Sequence, residues 1–218
     1  MNRISVAHVC RLFAASLSLM TVCACSTLGP SATPQPVFYS LDSTPGAAPA
    51  AVPPTAPAAA PTLIINPPHA SAGFDSSRII YVRETYRLEY FAHSEWVDPP
   101  ARMLAPLLVA AVENSGAFRA VVLTPSAAAG DLRLDTEIIR LQHEFGSKPS
   151  RVRFTLRAYL VDIKTRRVIA SREFDAAVPA ASEDPYGGVV AANRAVQTVL
   201  ENLSAFCAEA ARNARMEK

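Results

Sequence analysis

The sequence predicts an α/β domain, a mixed sheet with an antiparallel meander and two main helices packed on it. Two segments repeat apolar residues at helical spacing, and three consecutive segments alternate apolar with polar residues at strand spacing. The elements also run in the order strand, helix, strands, helix, which is the order of a sheet covered by helices. At 218 residues, half of them hydrophobic, the chain has enough material for one core.

The first segment is a targeting signal. Residues 1–11 carry Arg3 and Arg11, and residues 12–24 form an apolar run of thirteen. A bilayer span needs about 20 apolar residues, so this run reads as the hydrophobic part of a secretory signal. It ends in Val22-Cys23-Ala24-Cys25 before Ser26, which resembles a bacterial lipobox: a branched residue three positions before the cysteine and a small one directly before it. The resemblance implies cleavage after Ala24 and acylation of Cys25. Cys23 fits less well, because Val22 would stand where the small residue is required. An ordinary signal cut after Ala24, leaving Cys25 as a thiol, is the simpler alternative, but the polar stretch that follows suits a lipid tether. Ser26 replaces the Asp that retains such lipoproteins at the inner membrane, so the expected address is the inner leaflet of the outer membrane, with the domain in the periplasm.

The expected organisation is a signal over 1–24, a lipidated tether over 25–37, a domain over 38–213 and a tail over 214–218. The tether reaches roughly 40 Å when fully extended. Residues 45–61 hold six prolines and eight alanines, a Pro/Ala-rich insertion that favours extended conformations. It separates the apolar Phe38-Tyr39-Ser40-Leu41 from the next apolar segment. Either the domain begins at residue 62, or Phe38–Leu41 returns to the sheet across a long loop.

From residue 62 the pattern is regular. Residues 63–66 and 78–84 read as strands, and in residues 86–90 Tyr86, Leu88 and Tyr90 alternate onto one face. Asp98 before Pro99-Pro100 reads as a helix N-cap followed by first-turn prolines. Met103, Leu104, Leu107, Leu108, Ala111 and Val112 then form a helical stripe that Gly116 stops, and residues 120–123 read as a short buried strand. In the meander, Leu132, Leu134 and Ile138 oppose Asp135 and Glu137. Val152, Phe154, Leu156, Ala158 and Leu160 likewise oppose Arg151, Arg153, Thr155 and Arg157, and residues 168–178 follow the polar turn 163–166. The outward arginines are expected to pair with Asp135, Glu137, Glu173 and Asp175. A long helix over 186–212 closes the chain, with Val189, Ala192, Val196, Val199, Leu203, Phe206 and Ala210 on its apolar face.

The chemistry-bearing residues are sparse. Both arginines of the signal lie where no Asp or Glu offsets them, so the chain from residue 25 carries 19 basic and 19 acidic side chains. Such neutrality supplies no long-range field toward nucleic acid or toward an anionic membrane surface, and it argues against a nucleic-acid role for the arginines and tyrosines of residues 78–90. Once the signal leaves and Cys25 is acylated, Cys207 is the remaining thiol, which excludes a disulfide framework; its place among Leu203 and Phe206 reads as a buried small hydrophobe. His69, His93 and His143 are scattered over a loop, a turn and a strand, so no metal or other cofactor is expected, and Glu183-Asp184 before Pro185 reads as a helix lead-in. The mature domain has no phosphate loop, nucleophile elbow or zinc-protease motif. The feature that stands out is aromatic: Tyr86, Tyr90, Phe91 and Trp96 in a chain that is only 7% aromatic. They read either as core or as a surface that docks a partner or lipid.

Taken in order, the lipobox at Cys25, Phe38-Tyr39-Ser40-Leu41, Tyr86-Arg87-Leu88-Glu89-Tyr90-Phe91 and Ser94-Glu95-Trp96-Val97-Asp98-Pro99-Pro100 resemble the ABC-type transport auxiliary lipoproteins. The likeness continues through Gly116-Ala117-Phe118-Arg119-Ala120-Val121, Leu132-Arg133-Leu134-Asp135 and Ala191-Ala192-Asn193-Arg194-Ala195, covering about residues 36–210. This resemblance implies an anticodon-binding-domain-like sandwich in which Phe38–Leu41 is a strand. It also implies a non-catalytic role at the outer membrane, meeting the periplasmic MCE-type protein that works with an ABC permease and ATPase in lipid transport. Homo-oligomerisation is left open. The rival expectation is an envelope-integrity or outer-membrane assembly lipoprotein that contacts a β-barrel or peptidoglycan.

Overall fold

The computed structural model describes residues 35–42, 57 and 59–216, with side chains through residue 213. The predicted signal, Cys25, the tether to residue 34, most of the Pro/Ala insertion and the last two residues lie outside that range. Five strands, β1 (Val37–Tyr39), β2 (Thr62–Ile65), β3 (His69–Ala70), β4 (Arg78–Val82) and β5 (Glu89–Trp96), precede helix α1 (Pro100–Glu113). Four more, β6 (Ala120–Leu123), β7 (Leu132–Glu144), β8 (Arg151–Asp162) and β9 (Arg167–Pro179), precede helix α2 (Pro185–Met216). One mixed sheet results, with the path β1-β5-β4-β7-β2-β6 and with β8 and β9 continuing from β7.

β7 organises this sheet. Along one edge it pairs antiparallel with β8, from Leu132↔Asp162 to Glu144↔Arg151. Along the other, three short parallel strands meet it in succession: β2 at Leu132–Leu134, β3 at Glu137–Ile138 and β4 at His143–Glu144. Its inward residues Leu132, Leu134 and Ile138 are buried as the alternation predicts. A bulge between Ile138 and Arg140 then shifts the parity, and this returns Leu141 and His143 to the core face.

Both helices press on that face. Leu104, Leu108 and Val112 of α1 are fully buried, as are Leu203 and Cys207 of α2. The Ser204 hydroxyl donates to the Ala111 carbonyl at 2.8 Å and so links the two helices. Phe154 of β8 is the bulkiest side chain wholly removed from solvent, and Phe174 of β9 meets Phe206 of α2 edge-on at 5.6 Å.

The open alternative for Phe38–Leu41 resolves toward a strand. β1 pairs parallel with β5 at Val37↔Ser94 through Tyr39↔Trp96, and Leu41 enters the core. Asn193 of α2 holds the chain there, accepting from the Asp42 N–H at 2.6 Å and donating to the Ser40 carbonyl.

Several local expectations are corrected. Residues 83–88 form a turn, so Tyr86 and Leu88 do not share a strand with Tyr90; the turn closes through the Arg87 N–H to the Glu84 carbonyl at 3.2 Å. Pro99 occupies the N-cap of α1 without a side-chain cap, and Asp98 instead pairs with Arg102 at 3.3 Å. Pro106 lies inside α1 at an exposed position, and its ring nitrogen cannot supply the helical N–H for the Arg102 carbonyl. Gly116 does act as the stop, at a φ of +62°. β6 is an edge strand with no buried residue, because only β2 pairs with it. His69 and His93 sit in β3 and β5, strands too short or too irregular for alternation to reveal.

Because Phe154 lies where β8 meets the helices, Phe154→Ala leaves a cavity that its neighbours cannot close. Urea denaturation is expected to show a loss of about 3–5 kcal/mol with an unchanged m-value.

Candidate docking surface

The structure divides the four aromatic candidates between inside and outside. Trp96, at the end of β5, is 3% exposed and belongs to the core. Phe91 is half-buried, with its ring 4.6 Å from Tyr81 and 6.5 Å from the imidazole of His143. Tyr90 is half exposed and pairs across the strands with Ile80, while the Arg78 guanidinium lies 4.1 Å from its ring centroid. Tyr86 is fully exposed in the turn, at a φ of +69° that a bulky side chain rarely adopts. The four therefore do not form one cluster. The period-2 pattern of residues 86–90 misled because a turn without Gly or Pro leaves no signature.

Exposed apolar surface also occurs where the pattern gave no signal. Val37, Phe38 and Val97 are all more than half exposed, at the free edge of β1 and just beyond β5. An edge strand that presents apolar side chains and unpaired backbone groups is a ready template for another chain. Between α1 and α2 runs a groove of about 630 Å³, in which Leu107, Ala111 and Leu200 provide apolar walls and Asn114 and Glu201 polar ones.

The outward face of the meander is polar and largely self-neutralised. Arg157 bridges Glu137 at 3.5 Å and Glu173 at 3.0 Å, and Arg153 lies between Glu144 at 3.9 Å and Asp175 at 3.6 Å. Asp135 departs from the expected cross-strand pairing, since it binds Arg133 of its own strand at 2.9 Å. Burial opposes the charge of Glu144, but hydrogen bonds from Arg151 and Gln142 and the charge of Arg153 outweigh it and hold its carboxyl below the usual range. Exposed pairs of this kind contribute about 0.2–1 kcal/mol each and mainly fix register.

Inside, one group of side chains has the composition of a catalytic couple. His143 Nε2 lies 2.8 Å from the Ser150 hydroxyl, and Glu183 and Asp184 sit nearby at the start of α2. Ser150 is wholly buried, and the adjoining cavity of about 10 Å³ barely admits one water. The pair therefore joins the two ends of the β7–β8 turn, and Asp184 caps α2 by accepting from the Gly187 N–H at 2.7 Å. Burial pushes the imidazole of His143 below its ordinary value, which the two carboxylates only partly offset. Gly188 is required beside it, because a Cβ there would stand 2.7 Å from His143 Nδ1. Cys207 is completely buried and its thiol is pushed up to about 12, so it packs as a small hydrophobe. No group of three or more His, Cys, Asp or Glu is placed to hold a metal among the described residues, and no helix among them is long and apolar enough to cross a membrane.

The domain is a helix-covered mixed sheet with an exposed apolar edge strand and a groove between its two helices. The family model for the ABC-type transport auxiliary lipoprotein component matches residues 39–204, and the chain belongs to that family. No curated protein matches the sequence. Among solved structures, protein XCC0632 from Xanthomonas campestris is similar over 83% of this chain and 99% of its own, with 24% identity and a TM-score of 0.68. The hypothetical protein CT253 from Chlamydia trachomatis is similar over 70% and 98%, with 10% identity and a TM-score of 0.51. These two likenesses concern the fold.

The buried imidazole has a measurable consequence. Unfolded, His143 titrates near its ordinary 6.5; folded, it resists protonation, so the unfolded state binds more protons and stability declines as pH falls below that value. Thermal melts between about pH 8 and about pH 5 are expected to show this decline, and His143→Gln, which keeps a donor for Ser150, is expected to flatten it. An equal slope in the variant would assign the titration to another group.

Proposed function

We propose that this chain is a non-catalytic lipoprotein anchored through Cys25 in the inner leaflet of the outer membrane, where its domain docks onto the periplasmic MCE-type protein of an ABC lipid transport system. The observation that carries this reading is the family match over residues 39–204, which spans the sheet from β1 to the greater part of α2. Three further features support it. Val22-Cys23-Ala24-Cys25 has the spacing of a lipobox. The Ser150–His143 pair is sealed from substrate. The free edge of β1 leaves Val37 and Phe38 exposed for a protein partner, with Tyr90 exposed on the adjoining β5.

In this reading the lipid supplies attachment and the domain supplies recognition. Neutral overall charge leaves shape and apolar contact to determine which partner binds. The substitution Cys25→Ala is expected to abolish acylation and move the protein from the membrane fraction to the soluble one. Membrane association that survives it, together with unchanged processing, removes the anchor from the proposal. A photocrosslinking residue at Phe38 or Tyr90 is expected to capture the MCE-type protein in cells; capture of only a β-barrel or a cell-wall protein would favour the envelope-assembly alternative.

A further inference from the structure

We propose that the turn between β4 and β5 is a membrane-contact site, in which Arg83 and Arg140 hold the phosphate of an anionic phospholipid while Tyr86 and Leu88 enter the interfacial layer. The orientation it uses rests on the Cys25 anchor of the preceding section.

The first observation is the surface itself. Tyr86 is fully exposed and Leu88 nearly half exposed, and both border a cavity of about 350 Å³ that Arg83, Arg87 and Arg140 also line. Tyr86 holds a left-handed backbone conformation as the third residue of the turn that the Arg87 N–H closes on the Glu84 carbonyl, and this position stands its ring in solvent. An amphipathic ring beside an aliphatic side chain, flanked by cations, is the composition that settles at a bilayer interface.

The second observation is charge complementarity. The cavity's two carboxylates are already engaged: Glu84 with Arg87 at 3.5 Å, and Glu144 with Arg151 at 2.9 Å. Arg83 and Arg140 form no ion pair among the described residues, although Arg83 lies 4.9 Å from the ring centroid of Tyr81. Two guanidinium groups that form no ion pair, on one cavity whose carboxylates are engaged by other arginines, suit an anion with several acceptor oxygens, which phosphate is. Free phosphate would satisfy the arginines but leave Tyr86 and Leu88 in water; a phospholipid accounts for both.

The third observation is direction. β1 runs parallel to β5, so the chain enters the sheet from the end at which β5 begins, and that is the end bearing the turn. Val37 pairs with Ser94, about 17 Å along β5 from Glu89, whereas the twelve residues from Cys25 to Pro36 reach about 40 Å when extended. A lipid at Cys25 can therefore bring the turn to the membrane surface. Anchoring also raises the local concentration, so a contact too weak to recruit a free protein still orients a tethered one.

The test uses the chain from residue 25 with Cys25→Ser, which has no acyl group and contains the whole compact unit 36–218. An environment-sensitive dye is placed at Thr85→Cys, since buried Cys207 with its thiol pushed up to about 12 does not compete for label. Vesicles of phosphatidylethanolamine with about 30% phosphatidylglycerol are expected to shift the dye emission to the blue, and a dye at Lys164→Cys, in the opposite β8–β9 turn, to show no shift. Arg83→Gln combined with Arg140→Gln is expected to weaken binding at least about fivefold, and Tyr86→Ser to reduce the blue shift. Circular dichroism and melting curves check that the variants remain folded. Equal response from both dyes, binding indifferent to the arginines, or no vesicle response while a crosslinker at Tyr86 traps a protein in cells would each overturn the proposal. None of these outcomes bears on acylation of Cys25, which fractionation reads separately.

Discussion

The fold depends on the two unlike edges of β7. Its antiparallel partner β8 follows it over its full length, while β2, β3 and β4 each take a short parallel stretch of its other edge. Parallel strands cannot be joined by tight turns, so the chain must leave the sheet and return between them. β5, α1 and β6 accordingly lie in the chain between β4 and its parallel partner β7. The bulge after Ile138 lets one strand serve throughout, since it restores Leu141 and His143 to the core face where α2 packs.

This architecture separates what is chemically reactive from what is accessible. The groups that could act on a substrate, the Ser150–His143 pair and Cys207, are buried by α2 or by the β7–β8 turn. At the surface, the edge of β1 and the turn over residues 83–88 present apolar, aromatic and cationic side chains. The balance of 19 basic and 19 acidic side chains from residue 25 onward supplies no long-range field, so recognition by this domain rests on short-range complementarity.

Much of the fold was legible in particular residues. The alternation from Leu132 to Ile138 and from Val152 to Leu160 located the meander, and the stripes ending at Val112 and Ala210 located both helices. The first residues of α1 and α2 were harder, since Pro99 takes the cap that Asp98 was expected to fill while Asp184 performs the one expected of its loop. The candidate surface was only partly legible. Aromatic composition singled out Tyr86, Tyr90, Phe91 and Trp96, but whether each ring faces protein or solvent depends on the turn over residues 83–88 and on the irregular β4–β5 register. Val37, Phe38 and Val97 gave no signal, because an apolar residue at an edge looks like one in a core until its neighbour is known.

The sequence by itself determined the lipobox-like spacing ahead of Cys25, the balance of 19 basic and 19 acidic side chains from residue 25 onward, the class of fold and most element boundaries, because these follow from local composition and from periodicities of 2 and 3.6 residues. Only the tertiary structure decided that β1 closes the sheet across the Pro/Ala insertion, that Trp96 is core while Tyr86 stands free, and that Arg83 and Arg140 line one cavity whose two carboxylates are engaged by other arginines. Each of those depends on which strands lie side by side and in what register. Pairing between residues as distant as Tyr39 and Trp96, or Val82 and Glu144, is set by the packing of the whole core and leaves no local trace.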